Sequence, residues 1–128
     1  MIRRFGHKYN AKRVKKAGYS FASQLESSLH DYLVWMQKEG AIRDLKLQPS
    51  VYLTKAKILM KPDFSAVDTK TNVLCYWEAK GHETDVWRIK RRLWEFYGDG
   101  PMYVYKGSAK KLVLGEVIIP KKEIGGEE

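Results

Sequence analysis

The segment VWRIKRRLWEFYG, residues 86–98, carries apolar positions at helical spacing and lies between two strand-like runs, VLCYWEAKG (73–81) and PMYVYKG (101–107). That placement constrains the fold more than any other feature. Strands joined through a helix cannot form a hairpin, and the crossover sets them parallel, in the right-handed sense. Immediately upstream, ILMKPDFSAVD (58–68) meets VLCYWEAKG through the polar turn TKTN, which predicts an antiparallel hairpin. One connection of each kind requires a mixed sheet with helices on its faces. The expected class is α/β.

The remaining elements follow from period and punctuation. SFASQLESSLHDYLVWMQKEG (20–40) reads as a helix, with Ser20 as N-cap and Gly40 as the stop. Its apolar stripe is Phe21, Leu25, Leu29, Tyr32, Leu33 and Met36. AIRDLKLQPSVYL alternates as a strand that Pro49 bends or breaks. The second helix is expected to start at a Thr84 or Asp85 cap and to turn Val86, Ile89, Leu93 and Phe96 or Tyr97 inward. KKLVLGEVIIP supplies one more strand. The expected division is a basic arm at 1–19, one folded domain at 20–122 and a flexible tail at 123–128.

A hydrophobic content of 44% over 128 residues supports one real core, in a chain too short for two ordinary domains. No stretch approaches the roughly 20 apolar residues of a membrane span. MIRRFGHKYN has no apolar run behind its charges, so it is not expected to be a secretory signal. A single cysteine, Cys75, excludes an internal disulfide framework and a zinc ribbon, and His7 and His30 lack partners at metal-ligand spacing. Cys75 reads as a core thiol, and the chain as a soluble intracellular protein.

Charge is the less ordinary property. Lys and Arg number 24 against 15 Asp and Glu, a formal +9. Arg3, Arg4, Lys8, Lys12, Arg13, Lys15 and Lys16 all precede the first acid, Glu26, and the rest of the chain is nearly balanced. A basic segment of this kind suits a polyanion, because each neutralised phosphate releases condensed counterions. With no apolar face to insert, a lipid surface is disfavoured and no membrane partner is expected.

The strand VLCYW ends in Glu78 and Lys80. Residues i and i+2 of a strand share a face about 6.6 Å apart, so a carboxylate and an ammonium stand side by side with Tyr76. Asp63, behind Pro62, opens the neighbouring strand and is brought near Glu78 by the short turn. Hard oxygen ligands on a rigid strand pair suit Mg²⁺. A lysine beside them suits metal-assisted hydrolysis of a phosphodiester.

Pro62-Asp63 followed by Glu78-Ala79-Lys80 resembles the PD-(D/E)xK motif of the restriction-endonuclease-like nucleases. The resemblance extends over most of residues 8–105, through KYNAKRV, GYSFASQLES, GAIRDLKLQP and RIKRRLWEFYG, to small phage-encoded members of that family. They are akin to the phage endonuclease I type of Holliday-junction resolvase. Close relatives often carry Asp where this chain has Glu78, which keeps an oxygen ligand but changes its reach. The resemblance implies a mixed central sheet with flanking helices in the order α-β-β-β-α-β. It implies catalytic roles for Glu26, Asp63, Glu78 and Lys80. A metal would be held by Glu26, Asp63, Glu78 and the backbone carbonyl of Ala79. On a helical wheel Glu26 falls at the border of the apolar stripe, where it can face the sheet edge.

The implied activity is an Mg²⁺-dependent DNA endonuclease, with Mn²⁺ substituting, working in the host cytoplasm on DNA recombination, replication or packaging. With no separate recognition domain, selection by DNA shape is expected, on branched or duplex DNA. Cutting two strands with one small site per chain points to a homodimer. A non-specific nicking nuclease, an exonuclease, or an inactive DNA-binding protein on the same fold remain open. DNA contacts are expected from the seven basic residues of the arm and from Arg88, Arg91 and Arg92. Gln48, His82 and Thr84 are candidates for supporting contacts at the site. Trp87 and Trp94 are expected to pack rather than stack on a base.

Overall fold

The computed structural model describes residues 14–16, 19–21 and 23–121. The other residues of the expected arm, with Arg3, Arg4, Lys8, Lys12 and Arg13, lie outside the described residues, as does the tail at 123–128. Within them, β1 (Val14–Lys16) and β2 (Tyr19–Phe21) form a short antiparallel hairpin, in register Lys15↔Ser20. Helix α1 (Gln24–Lys38) follows. Next come β3 (Ile42–Leu47), β4 (Val51–Leu53), β5 (Ile58–Met60), β6 (Phe64–Asp68) and β7 (Val73–Ala79). Helix α2 (Asp85–Tyr97), β8 (Met102–Ser108) and β9 (Lys111–Ile118) complete the order.

The main sheet runs β3-β6-β7-β8-β9. All neighbours are antiparallel except β7 and β8, which the α2 crossover sets parallel, with Tyr76↔Met102 and Glu78↔Val104 in register. Both connections expected from the sequence, the β6–β7 hairpin and the parallel β7–α2–β8 unit, are present. The hairpin turns through residues 69–72, where the Asp68 carboxylate accepts the backbone N–H groups of Lys70 and Thr71 and Asn72 takes φ 61°. Asn tolerates that left-handed conformation better than most side chains. The class is thus mixed α/β, a mostly antiparallel sheet with two helices among the described residues.

Period-two alternation along β7 divides the core between the sheet's two faces. Cys75 and Trp77 pack with Phe64, Ala66 and Ile42 against Leu29 and Leu33 of α1. Tyr76 packs on the opposite face with Met102, Val104 and Ile118, beneath Trp87 and Trp94 of α2. Trp94 is fully buried, meets Tyr76 edge-on at 4.9 Å, and donates its indole N–H to the Gly100 carbonyl at 2.9 Å. A buried indole needs such a partner, since an unpaired N–H there costs about 1–3 kcal/mol.

Three expectations are corrected. Helix α1 starts at Gln24 with Ser23 as its N-cap, the Ser23 hydroxyl accepting the Glu26 N–H at 3.1 Å. Ser20 is committed to β2 and cannot cap it. The run 58–68 is two strands, because β5 leaves the sheet to pair with β4 as a separate hairpin (Val51↔Met60, Tyr52↔Leu59) and the chain re-enters at β6 after Pro62. The third concerns α2. Trp87 and Trp94 face inward, with Leu93 partly buried, while Val86, Ile89, Phe96 and Tyr97 are 50–61% exposed. The apolar arc of this helix is wider than one contact, and the two indoles, with the largest area to remove from water, occupy the sheet side. The expectation that Trp87 and Trp94 pack holds, and Trp77 is buried as well, while Trp35 is 56% exposed.

Candidate active site

The site lies where β6 begins and β7 ends. The antiparallel register puts Phe64 opposite Trp77, which brings Asp63, just before β6, level with the last residues of β7. The two acids are tied together through the backbone. The Asp63 N–H donates to Glu78 Oε1 at 3.2 Å, and the Ala79 N–H donates to Asp63 Oδ2 at 2.8 Å. Each carboxylate is thereby held by an amide belonging to, or next to, the other acid. The Asp63 carbonyl in turn accepts the Gln48 N–H at 2.8 Å, so the β3–β4 bend anchors the same point. The closeness that the sequence could only suggest is built into the hairpin.

Lys80 stands just past β7, its N–H donating to the Tyr105 carbonyl at 2.9 Å. Its ammonium lies 3.2 Å from Glu78 Oε2 and 4.6 Å from the centre of the Trp87 ring. A cation over an indole face is attracted by the ring quadrupole. The salt bridge and the ring together fix a side chain that would otherwise sample many rotamers. Trp87 therefore serves both the core and the site, since its other surroundings are Met60, Val51 and Leu53 of the small hairpin's inner face.

Glu26 is buried on the first turn of α1, on the inward side. Its charge reaches both other acids. Burial pushes the Asp63 carboxyl well above the usual range, and the negative charges of Glu78 and then Glu26 push it further. Burial likewise raises Glu78, against the opposing pull of the Lys80 charge and hydrogen bond, and Glu26 adds to the rise. Asp63 and Glu78 thus stand together beside one ammonium, with both carboxyls raised, and the pair favours an added proton or cation.

Among the described residues, no three His, Cys, Asp or Glu side chains already converge as a ligand set. The donor chemistry nonetheless fits a hard divalent cation, because two carboxylates are held at one strand end with excess negative charge. The Ala79 carbonyl belongs with them. In an extended strand the N–H and C=O of one residue point to the same side, and the Ala79 N–H points at Asp63.

Beside Glu78 opens a cavity of about 200 Å³ lined by Met60, Lys61, Glu78, Lys80, Thr84, Val86, Trp87 and Lys90. Lys61 escaped the reading of the sequence. The signal for it was position, two residues before Asp63 in a segment, 45–62, that contains lysines and no acid. Thr84 lines the cavity, but its hydroxyl caps α2 by accepting the Trp87 N–H at 3.0 Å. Gln48 is exposed, has φ 51°, and reaches the site through its backbone. His82 is exposed in the loop before α2.

The arginines of α2 are differently occupied. Arg88 pairs with Asp85 at 2.9 Å and Glu83 at 3.8 Å. Arg91 is held by Glu116 of β9 and by Glu95 at 3.2 Å, which pushes its pKa above the usual arginine value. Arg92 is exposed. Lys15 is exposed on β1, and the Lys16 side chain lies outside the described residues. His30 packs between Phe21 and Phe64, at 4.9 and 5.6 Å.

Fold and site define a mixed α/β protein that presents a buried acid pair, a ring-held lysine and a small basic-rimmed cavity at one end of its sheet. The chain belongs to the family described as protein of unknown function (DUF1064), which matches residues 6–108 and so spans every residue of this site. No curated protein matches the chain.

Proposed function

We propose that the protein is a metal-dependent endodeoxyribonuclease of the restriction-endonuclease-like kind, selecting DNA by structure rather than by a long sequence. The observation that carries this reading is the reciprocal bonding of Asp63 and Glu78 through the amides of Ala79 and Asp63, with Lys80 held beside them. The order α1-β3-β6-β7-α2-β8, with the four strands adjacent in that sequence, supports the α-β-β-β-α-β core that the motif implies. Asp63, Glu78 and the Ala79 carbonyl, with Glu26 behind them, would hold Mg²⁺ or Mn²⁺. When bound, the ion supplies Lewis acidity and charge neutralisation at a phosphate.

The chain's own residues do the rest. Lys80 donates toward charge developing on the phosphate, exchanging its contact with Glu78 for one with the substrate. Lys61 and Lys90 on the cavity rim hold flanking phosphates. Substrate binding covers the cavity and strengthens each of these charge interactions by excluding water. Exposed Val86, Ile89, Phe96 and Tyr97 on one side of α2 offer an apolar face for a second copy, which supports a homodimer cutting two strands.

The test is direct. Purified protein with Mg²⁺ or Mn²⁺ is incubated with labelled four-way junction, flap, duplex and single-stranded DNA, beside Asp63→Ala and Glu78→Ala. Cleavage by the wild type that both variants lose is expected. Undiminished cleavage by both variants would sink the site assignment. Binding by the wild type without cleavage under any metal would favour an inactive DNA-binding protein.

A further inference from the structure

The β4–β5 hairpin pairs with no strand of the main sheet. Its inner side chains, Val51, Leu53 and Met60, are buried against Trp87 and its neighbours and fix the ribbon in place. Its outer face is the cross-strand pair Tyr52 and Leu59, 63% and 37% exposed. The tip is tightly made: Thr54 and Lys57 adopt φ 64° and 56°, and the Thr54 hydroxyl accepts the Ala56 N–H at 2.9 Å. It carries Lys55 and Lys57, and Lys61 stands at its base on the rim of the active-site cavity.

The charges here differ from those of α2. Between residues 45 and 62 the chain has four lysines, 46, 55, 57 and 61, and no acid. Among the described residues none of these lysines takes part in an ion pair, whereas Arg88, Arg91 and Lys106 are all neutralised by carboxylates. Lys55, Lys57 and Lys61 of this ribbon thus keep their positive charge unspent near the site, alongside Lys90 and Arg92 of α2. A uniform row of lysines fits a phosphate backbone. The exposed tyrosine and leucine need something else, because the base faces of an intact duplex are stacked away. Aromatic side chains beside a basic track serve as platforms for unstacked bases.

From Lys57 to Asp63 the chain spans about 20 Å at full extension, the length of about six nucleotide steps at 3.4 Å each. A strand lying along the ribbon would reach the acids a few nucleotides away. We propose that the β4–β5 hairpin is the DNA-engaging ribbon of this protein, with Lys55, Lys57 and Lys61 on the backbone and Tyr52 and Leu59 against bases exposed at a branch point. This rests on the nuclease reading above and assigns its substrate selectivity to a specific element.

The experiment uses the full chain in EDTA, with fluorescence anisotropy on a labelled four-way junction and on a duplex of the same arm sequence, over a series of salt concentrations. Lys55→Ala/Lys57→Ala should bind both DNAs more weakly and lower the slope of log K against log salt by about 1.8, from about 0.9 per phosphate contact. Tyr52→Ser should weaken junction binding about 10-fold and leave the duplex unchanged. Lys38→Ala/Lys70→Ala, exposed at the β6–β7 turn end of the sheet opposite the acids, is the control. Thermal melts show that each variant is folded.

Wild-type affinity and slope in the hairpin variants would overturn the proposal, and so would an equal effect from the control pair. An equal effect of Tyr52→Ser on duplex and junction would overturn the base-face assignment. These outcomes leave the nuclease reading intact, since that stands or falls on metal-dependent cleavage by wild type against Asp63→Ala and Glu78→Ala.

Discussion

Replacing Lys80 by Met removes the ammonium that faces Glu78 while keeping a long apolar side chain on the Trp87 ring. Removing one partner of a fully buried ion pair costs about 3–5 kcal/mol, because the other charge is left uncompensated. Here 22% of the Lys80 side chain and 9% of Glu78 remain exposed, so water carries part of the screening. The expected loss at pH 8 is about 2 kcal/mol, below the range for a fully buried pair. It should depend on pH in a defined direction. Burial already raises the folded-state pKa of Glu78, and Lys80 is its main restraint. A carboxyl raised in the folded state binds more protons there than when unfolded, so stability is greatest below the unfolded pKa, about 4.3, and falls as pH rises through the folded value. Without Lys80 the folded pKa rises further. The deficit should therefore be small at pH 4 and complete at pH 8.

Urea unfolding followed by tryptophan fluorescence in metal-free buffer measures the deficit at both pH values, provided the slope against denaturant is unchanged. Adding Glu78→Gln to Lys80→Met should restore most of the loss at pH 8, because the orphaned charge is gone. Equal deficits at pH 4 and pH 8, or no recovery in the double variant, would refute the electrostatic account of this pair.

Other expectations concern the metal, the packing and the arm. Asp63→Asn keeps an acceptor for the Ala79 N–H but removes a buried charge repelled by Glu78 and Glu26, so it should stabilise the metal-free protein at pH 8. Mg²⁺ or Mn²⁺ should raise the melting temperature of the wild type and leave that of Asp63→Asn unchanged, a readout independent of cleavage. Gly100→Ala would put a methyl group 2.1 Å from the Leu74 carbonyl, at the entry to β7, and should cost about 2 kcal/mol in a thermal or urea melt. Deleting residues 1–13, which removes Arg3, Arg4, Lys8, Lys12 and Arg13 but spares β1, should weaken DNA binding and flatten its salt dependence.

Much of this architecture was legible because it depends on local backbone geometry. The period of two along VLCYWEA puts Glu78 with Tyr76 and opposite Trp77, and the core divides along that line. A helix between two strands required the parallel pairing of β7 with β8, and the TKTN turn required the antiparallel pairing of β6 with β7. Candidate acids and the lysine could be named for the same reason: their spacing along one strand end is a local property.

Other features depended on which surfaces meet, and no window of sequence holds that information. The apolar arc of α2 covers more than one contact width, and only competition for the sheet face selected Trp87 and Trp94 over Val86, Ile89 and Phe96. Departure of β5 from the sheet to pair with β4 is a choice between two available partners for the same strand-forming residues. The sequence by itself determined that Asp63, Glu78 and Lys80 belong to neighbouring strand ends. Only the tertiary structure tied the two acids through each other's amides, brought Glu26 within electrostatic reach and set Lys80 over Trp87, because each of those contacts joins elements that become neighbours only when the sheet and its helices close on one another.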